Sequence, residues 1–184
     1  MVAGGRRVPL AEVRGVLMLL SAVHPVELSD VVVAADRDYV AAEMTAFLLA
    51  WSAALPCPVV NRPSPEGLAG PCWRRERWLV EASRTGLRIR PFTRVVPHTH
   101  IESAAAAEVV VVGGEAVGST HPTLEKQTVR LAQRVGAGLL VARYDAPHKE
   151  GRFVEADPTP DLASRTEIRR AVLSLLARWA GGVR

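Results

Sequence analysis

Arg152-Phe153-Val154-Glu155-Ala156-Asp157-Pro158-Thr159-Pro160 reads as a short strand that carries two acids and stops at prolines, which cannot donate to a ladder. Glu155 and Asp157 are two residues apart, so on a strand both carboxylates share one face. Upstream, Leu139–Tyr144 is an apolar run with strand character, and Asp145 follows it directly. The two runs are close enough in sequence to pair as neighbours, which would bring Asp145 toward Glu155 and Asp157. Three converging oxygen donors suit Mg²⁺, which keeps several waters and takes few protein carboxylates. The competing reading is that the acids pair with Arg143 or Arg152.

Working outward, Glu108–Val112 and Ala116–Ser119 flank Gly113-Gly114-Glu115, the signature of a hairpin. Pro122–Val135 has helical character. A last helix is expected over Leu162–Ala180, with Ile168, Val172, Leu175, Leu176 and Trp179 on one face. Toward the N-terminus, Asp30–Asp36 is an apolar run ending in an acid, the pattern of a buried parallel strand. The next helix would take Asp36 as its N-cap and bury Val40, Met44, Phe47, Leu48, Trp51 and Leu55. Pro58–Asn61 is a second brief strand and completes a β-α-β unit. A proline-rich loop, Arg62–Pro71, leads to a helix over Trp73–Thr85 closed by Gly86, and then to a strand over Leu87–Phe92. The expected architecture is α/β: a small Rossmann-like parallel layer over 1–92, an irregular connector over 93–107, and a compact α+β lobe over 108–184.

The chain has 184 residues, 48% of them apolar and 23% charged. Such a chain buries roughly two-thirds of its unfolded surface and is globular, not disordered. Val109–Val112 is among the longest strongly apolar stretches, far short of a bilayer span. The basic start Met1–Arg7 is not followed by the apolar core of a signal peptide, so a cytoplasmic location is expected. Cys57 and Cys72 make no disulfide framework. The net charge of +4 is carried almost wholly by arginine, since Lys126 and Lys149 are the only lysines. The cations form no stripe interleaved with aromatics, which argues against nucleic acid. Arg74-Arg75-Glu76-Arg77 between Trp73 and Trp78 reads as a solvated helix face with its tryptophans turned inward.

Two further clusters hold chemistry-bearing residues. Asp36, Asp38, Tyr39 and Glu43 would sit where a strand meets a helix, with Asn61 and Arg62 at the end of the adjacent strand. Ligands of open α/β sheets bind at such strand ends. Arg62 is expected to approach Asp36, Asp38 or Glu43, or to take a carboxylate ligand. In His98-Thr99-His100-Ile101-Glu102, an extended backbone would put His98, His100 and Glu102 on one face, with His121 as a fourth donor for zinc or iron.

The order of these segments resembles the ATP-grasp carboxylate–amine ligases of peptide-modification pathways. Asp36-Arg37-Asp38-Tyr39 with Glu43, Asn61-Arg62-Pro63 and Gly70-Pro71 are similar to their pre-ATP-grasp domain. Val109–Gly118, Leu139–Asp145 and the Glu155/Asp157 strand are similar to the end of the ATP-grasp fold. The resemblance implies Mg²⁺ at the acidic strand, with Asp157 in place of the family's asparagine. It also implies lysines on interior strands to clasp ATP, and this chain has none. In the family a long stretch separates the two halves; here Thr93–Ala107 must suffice. The expectation is a truncated ATP-grasp-like protein, unfit for autonomous ligation. It would be a binding partner or scaffold for a protein or peptide, or for a small carboxylate ligand, and a homo-oligomer is compatible with it. The alternative is a small metal-dependent enzyme using His98/His100/Glu102 or Asp145/Glu155/Asp157.

Overall fold

The computed structural model describes residues 2–3, 5–91, 105–118 and 121–182. The expected α/β class is observed: a small parallel pair and a larger antiparallel sheet, with helices against both. β1 (Val2–Ala3) and β2 (Arg6–Arg7) form a minimal antiparallel ribbon. β3 (Val16–Leu17) then pairs in parallel with β4 (Val59–Val60), and α1 (Arg37–Ala53) lies between them in sequence. Val16 N–H donates to the Pro58 carbonyl at 3.0 Å, and Met18 N–H donates to that of Val60.

The first strand of this β-α-β unit is therefore β3, not Asp30–Asp36. That valine run turns on itself, with a 3₁₀ turn at Ala34–Asp36, and leaves Val31 and Val33 79% and 67% exposed. The backbone explains why. Val31 and Val32 N–H both return to the Leu28 carbonyl, and the Arg37 guanidinium takes the carbonyls of Val32 (2.9 Å) and Ser29 (3.0 Å). Donors and acceptors spent locally cannot form a ladder.

The buried side of α1 is also rotated from the expected one. Ala41 and Ser52 are buried, and Leu48, Leu49 and Trp51 pack with Met18, Leu55, Val59 and Leu68. Met44 and Phe47, expected inside, are exposed. Two-residue strands offer too narrow a surface to cover a wide apolar helix, and small residues at the contact let α1 lie close to it.

The C-terminal half follows the expected pattern closely. β5 (Ala107–Val112), β6 (Glu115–Val117), β7 (Leu139–Tyr144) and β8 (Phe153–Asp157) form one antiparallel sheet in the order β6-β5-β7-β8. Gly113 and Gly114, with φ of 60° and 88°, make the two-residue hairpin between Val112 and Glu115. Both central residues need positive φ in that turn, which glycine supplies without strain. α2 (Arg75–Arg84) and α3 (Pro122–Val135) cover the face of Val109, Val111, Leu140 and Ala142. α4 (Thr166–Ala180) covers the opposite face, where Ile168, Val172 and Leu175 meet Val110, Val112, Leu139 and Val141. Burial on both faces accounts for the unbroken valines of β5, and each fully buried valine or leucine contributes about 1.5–3 kcal/mol.

α2 ends at Arg84, and Gly86, whose φ is 82°, follows its C-cap Thr85. The expected strand after it reduces to one parallel bridge, Ile89 beside Phe153, and Phe92 lies outside the described residues. α4 starts at Thr166, later than the expected Leu162. Asp161 first holds a turn by accepting from Ala163 N–H and Ser164 O–H, both at most 2.9 Å.

Candidate functional site

Register places the acidic strand in its chemical setting. Arg143 on β7 stands opposite Glu108 on β5 and Glu155 on β8, on the sheet face that α4 covers only in part. Cross-strand neighbours lie within reach of a guanidinium fork. Arg143 Nε meets Glu108 Oε1 at 2.9 Å, Nη1 meets Glu155 Oε1 at 2.9 Å, and Nη2 lies 3.9 Å from Asp157 Oδ2. Arg165, just before α4, grips Glu108 from the other side with Nη1–Oε2 at 2.6 Å and Nη2–Oε1 at 3.2 Å. Three carboxylates thus face two guanidinium groups, all half-buried. The Arg165 hydrogen bonds, seconded by Arg143, hold the Glu108 carboxyl below its ordinary 4.5 although burial pulls the other way. Asp157 also accepts from Thr159 N–H (2.8 Å) and O–H (3.0 Å), which fixes the turn through Pro158.

Asp145 does not join this group. The β7–β8 register shifts between Arg143 and Tyr144, so that Tyr144 opposes Phe153, Arg143 opposes Glu155, and Val154 is left over. Such a bulge re-aims the side chains beyond it. Asp145 instead closes the β7–β8 turn, accepting from Arg152 N–H and Nε at 2.7 Å each. Burial opposes ionisation of Asp145, but these bonds outweigh it and lower its pKa. Among the described residues, no three His, Cys, Asp or Glu side chains are grouped so as to hold a metal. Asp145, Glu155 and Asp157 therefore do not fit the Mg²⁺ that the sequence suggested, because Arg143 spans the acids that would bind it. His98, His100 and Glu102 lie outside the described residues. His121 caps α3, its Nδ1 accepting from Thr123 N–H at 3.2 Å.

The N-terminal cluster is arranged differently. Asp36, Asp38, Tyr39 and Glu43 are exposed, and Asp36 stands at the N-cap of α1 without a side-chain capping bond. Arg62 does not reach these acids. It is exposed, its Nη2 donates to the Cys57 carbonyl at 3.5 Å, and among the described residues it has no ion pair with Asp36, Asp38 or Glu43. The expectation of convergence assumed that Asp36 ends a strand parallel to β4, and no such strand forms.

Asn61, expected at a ligand-binding edge, is only 1% exposed. Its Nδ2 donates to the carbonyls of Leu139 (2.8 Å) and Pro158 (3.0 Å), and its Oδ1 accepts from Leu139 N–H at 2.8 Å. Asn61 is a staple between β4, the start of β7 and the end of β8. Arg74–Arg77 is only in part the solvated helix face expected: Arg77 lies 4.1 Å over the Trp73 ring and pairs with Glu66, and Trp78 is buried, but Arg75 Nε donates to the Val154 carbonyl at 3.1 Å. Lys126 lines an open depression of about 400 Å³ between α3 and β6, with Glu125, Arg130 and Gln133.

No protein-family model and no curated protein matches the sequence. Solved structures do match. The chain is similar to the macrocyclase MdnC from Microcystis aeruginosa MRC, solved with the precursor peptide MdnA bound. The TM-score is 0.67 at 14% identity, over 95% of this chain and 81% of that one. It is also similar to the ATP-grasp ligase PsnB, solved with a phosphomimetic variant of its minimal precursor, Mg and ADP. There the TM-score is 0.58 at 14% identity, over 90% and 78% of the two chains. At such identities the likeness is one of fold, and this chain has the fold of these ligases.

Proposed function

We propose that this chain is a degenerate, truncated ATP-grasp protein of a peptide-modification system that works by binding a protein or peptide and does not ligate. The observation that carries the reading is Arg143, whose guanidinium spans Glu108, Glu155 and Asp157, the acidic strand at which the resemblance to ATP-grasp ligases implies Mg²⁺. A fixed internal charge neutralises the acids without metal or nucleotide. The absence of a lysine from every strand supports the same conclusion from the nucleotide side, because the phosphates of ATP need cations to meet them. The peptide partner is carried over from the fold's relatives, which were solved with precursor peptides. No described helix is long and apolar enough to cross a membrane.

Melting the protein with and without millimolar MgATP tests this reading. A ligand at a hundred times its dissociation constant stabilises a fold by about 2.7 kcal/mol. The expected result is an unchanged melting temperature. A rise of several degrees that Lys126→Ala or Lys149→Ala abolishes overturns it.

A further inference from the structure

Between Val40 and Leu55, α1 and its end carry a single charge, Glu43. A helix so apolar all round is ordinarily buried, yet only one side of α1 meets the β3/β4 layer. Its outer side shows Tyr39, Met44 and Phe47, which are 69%, 42% and 67% exposed, and Val31 and Val33 extend the patch from the preceding turn. Exposed large apolar side chains gathered on one helix and the turn before it are the kind of surface that marks an interaction site.

Charge identifies the occupant. Asp30, Asp36 and Asp38 lie at the start of this face and Glu43 lies within it, and among the described residues none of them is in an ion pair. Arg37, which follows Asp36 in the chain, is turned onto the carbonyls of Ser29 and Val32. The chain as a whole is cationic, with a net charge of +4, so these acids stand against the sign of the whole. A second copy fits poorly. Tyr39, Glu43 and Phe47 lie at i, i+4 and i+8, so a two-fold seating that buries both aromatics centres on Glu43 and sets it against its own symmetry mate. An anionic surface is repelled by the same acids.

We propose that the outer face of α1, with the Val31–Val33 turn, is a docking surface for a cationic polypeptide segment with apolar anchors, contributed by a partner protein. The proposal rests on the reading of this chain as a binding protein and names the chemistry of its partner. Aromatic side chains in such a patch act as anchors, and complementary charge sets orientation and speeds association.

The test is fluorescence anisotropy of a labelled amphipathic peptide of leucine and lysine, against a leucine–glutamate peptide of the same pattern. Four proteins are compared: the wild type, Tyr39→Ser/Phe47→Ser, Asp36→Asn/Asp38→Asn/Glu43→Gln, and Leu173→Ser, which removes an exposed leucine of α4. Circular dichroism and melting confirm that each is folded. The expected result is binding of the lysine peptide alone, weakened about tenfold or more in the first two variants and unchanged in Leu173→Ser. No binding, or equal binding by all four proteins, overturns the proposal. So does sedimentation showing a wild-type dimer that Tyr39→Ser/Phe47→Ser dissolves, since the patch would then be a self-interface. Stabilisation by MgATP would defeat the non-ligase reading and leave the peptide titration standing, so the two failures are distinguishable.

Discussion

The two halves of the molecule treat their acids in opposite ways. Around the antiparallel sheet, Glu81, Glu108, Asp145, Glu150 and Glu155 are each tied to an arginine. Along the turn before α1 and its first turns, Asp30, Asp36, Asp38 and Glu43 have no such partner among the described residues and stand beside exposed aromatics. Where a chain neutralises its own carboxylates, little charge is left to recruit a ligand. Where it leaves them open beside apolar surface, recognition by a complementary partner costs it no internal contact. The half that looks most like a catalytic site in sequence is thus the internally satisfied one, and the open half is the one better suited to a partner.

The staple between the halves is the place where breaking this arrangement costs most. Asn61→Ala leaves Leu139 N–H and the Leu139 and Pro158 carbonyls buried without partners. Each unmet group costs about 1–3 kcal/mol, so a total loss of roughly 3 kcal/mol is expected in chemical denaturation. A loss below about 1 kcal/mol would mean that the two layers do not depend on this side chain.

Acid should weaken the sheet half specifically. The folded-state pKa values of Glu108 and Asp145 are depressed from 4.5 and 3.8. Their ion pairs therefore stabilise fully above those ordinary values, and the contribution is lost as pH falls through the lower folded-state values. Stability measured on descending pH should drop below about 4.5, and Glu108→Gln should flatten part of that drop. An identical pH profile in the variant would show that the network adds nothing. The smallest effect is expected on the open side: Tyr39→Ser and Phe47→Ser should each change folding stability by no more than about 0.5 kcal/mol, because neither side chain packs inside. A large loss would place them in the core and contradict the comparison.

The sequence made the sheet half legible because its signals are local and mutually consistent. The double glycine set the β5–β6 hairpin, Pro122 and Gly136 bracketed α3, and the alternation of β7 and β8 put Arg143 on the face of Glu155. The parallel layer was hidden for the opposite reason. Val16–Leu17 is too short to show a period, while Val31-Val32-Val33 imitates a buried strand although its backbone is consumed by Leu28 and Arg37. Asn61 was noticed for its place in a motif, but its role depends on Leu139 and Pro158, far along the chain, and no local pattern encodes such a contact. The bulge that turns Asp145 away is equally invisible, since Phe153 and Val154 are consecutive apolar residues of an ordinary buried strand.

Mg²⁺ titration calorimetry on the wild type and Arg143→Met tests the proposal that Arg143 stands in for a cation among Glu108, Glu155 and Asp157. Removing a half-buried ion-pair partner should cost about 1–2 kcal/mol of stability, so both proteins remain folded enough to compare. The expected result is no saturable Mg²⁺ uptake by the wild type at millimolar concentration, and uptake by Arg143→Met that Glu155→Gln removes. Saturable uptake by the wild type, lost on Glu155→Gln, would contradict it.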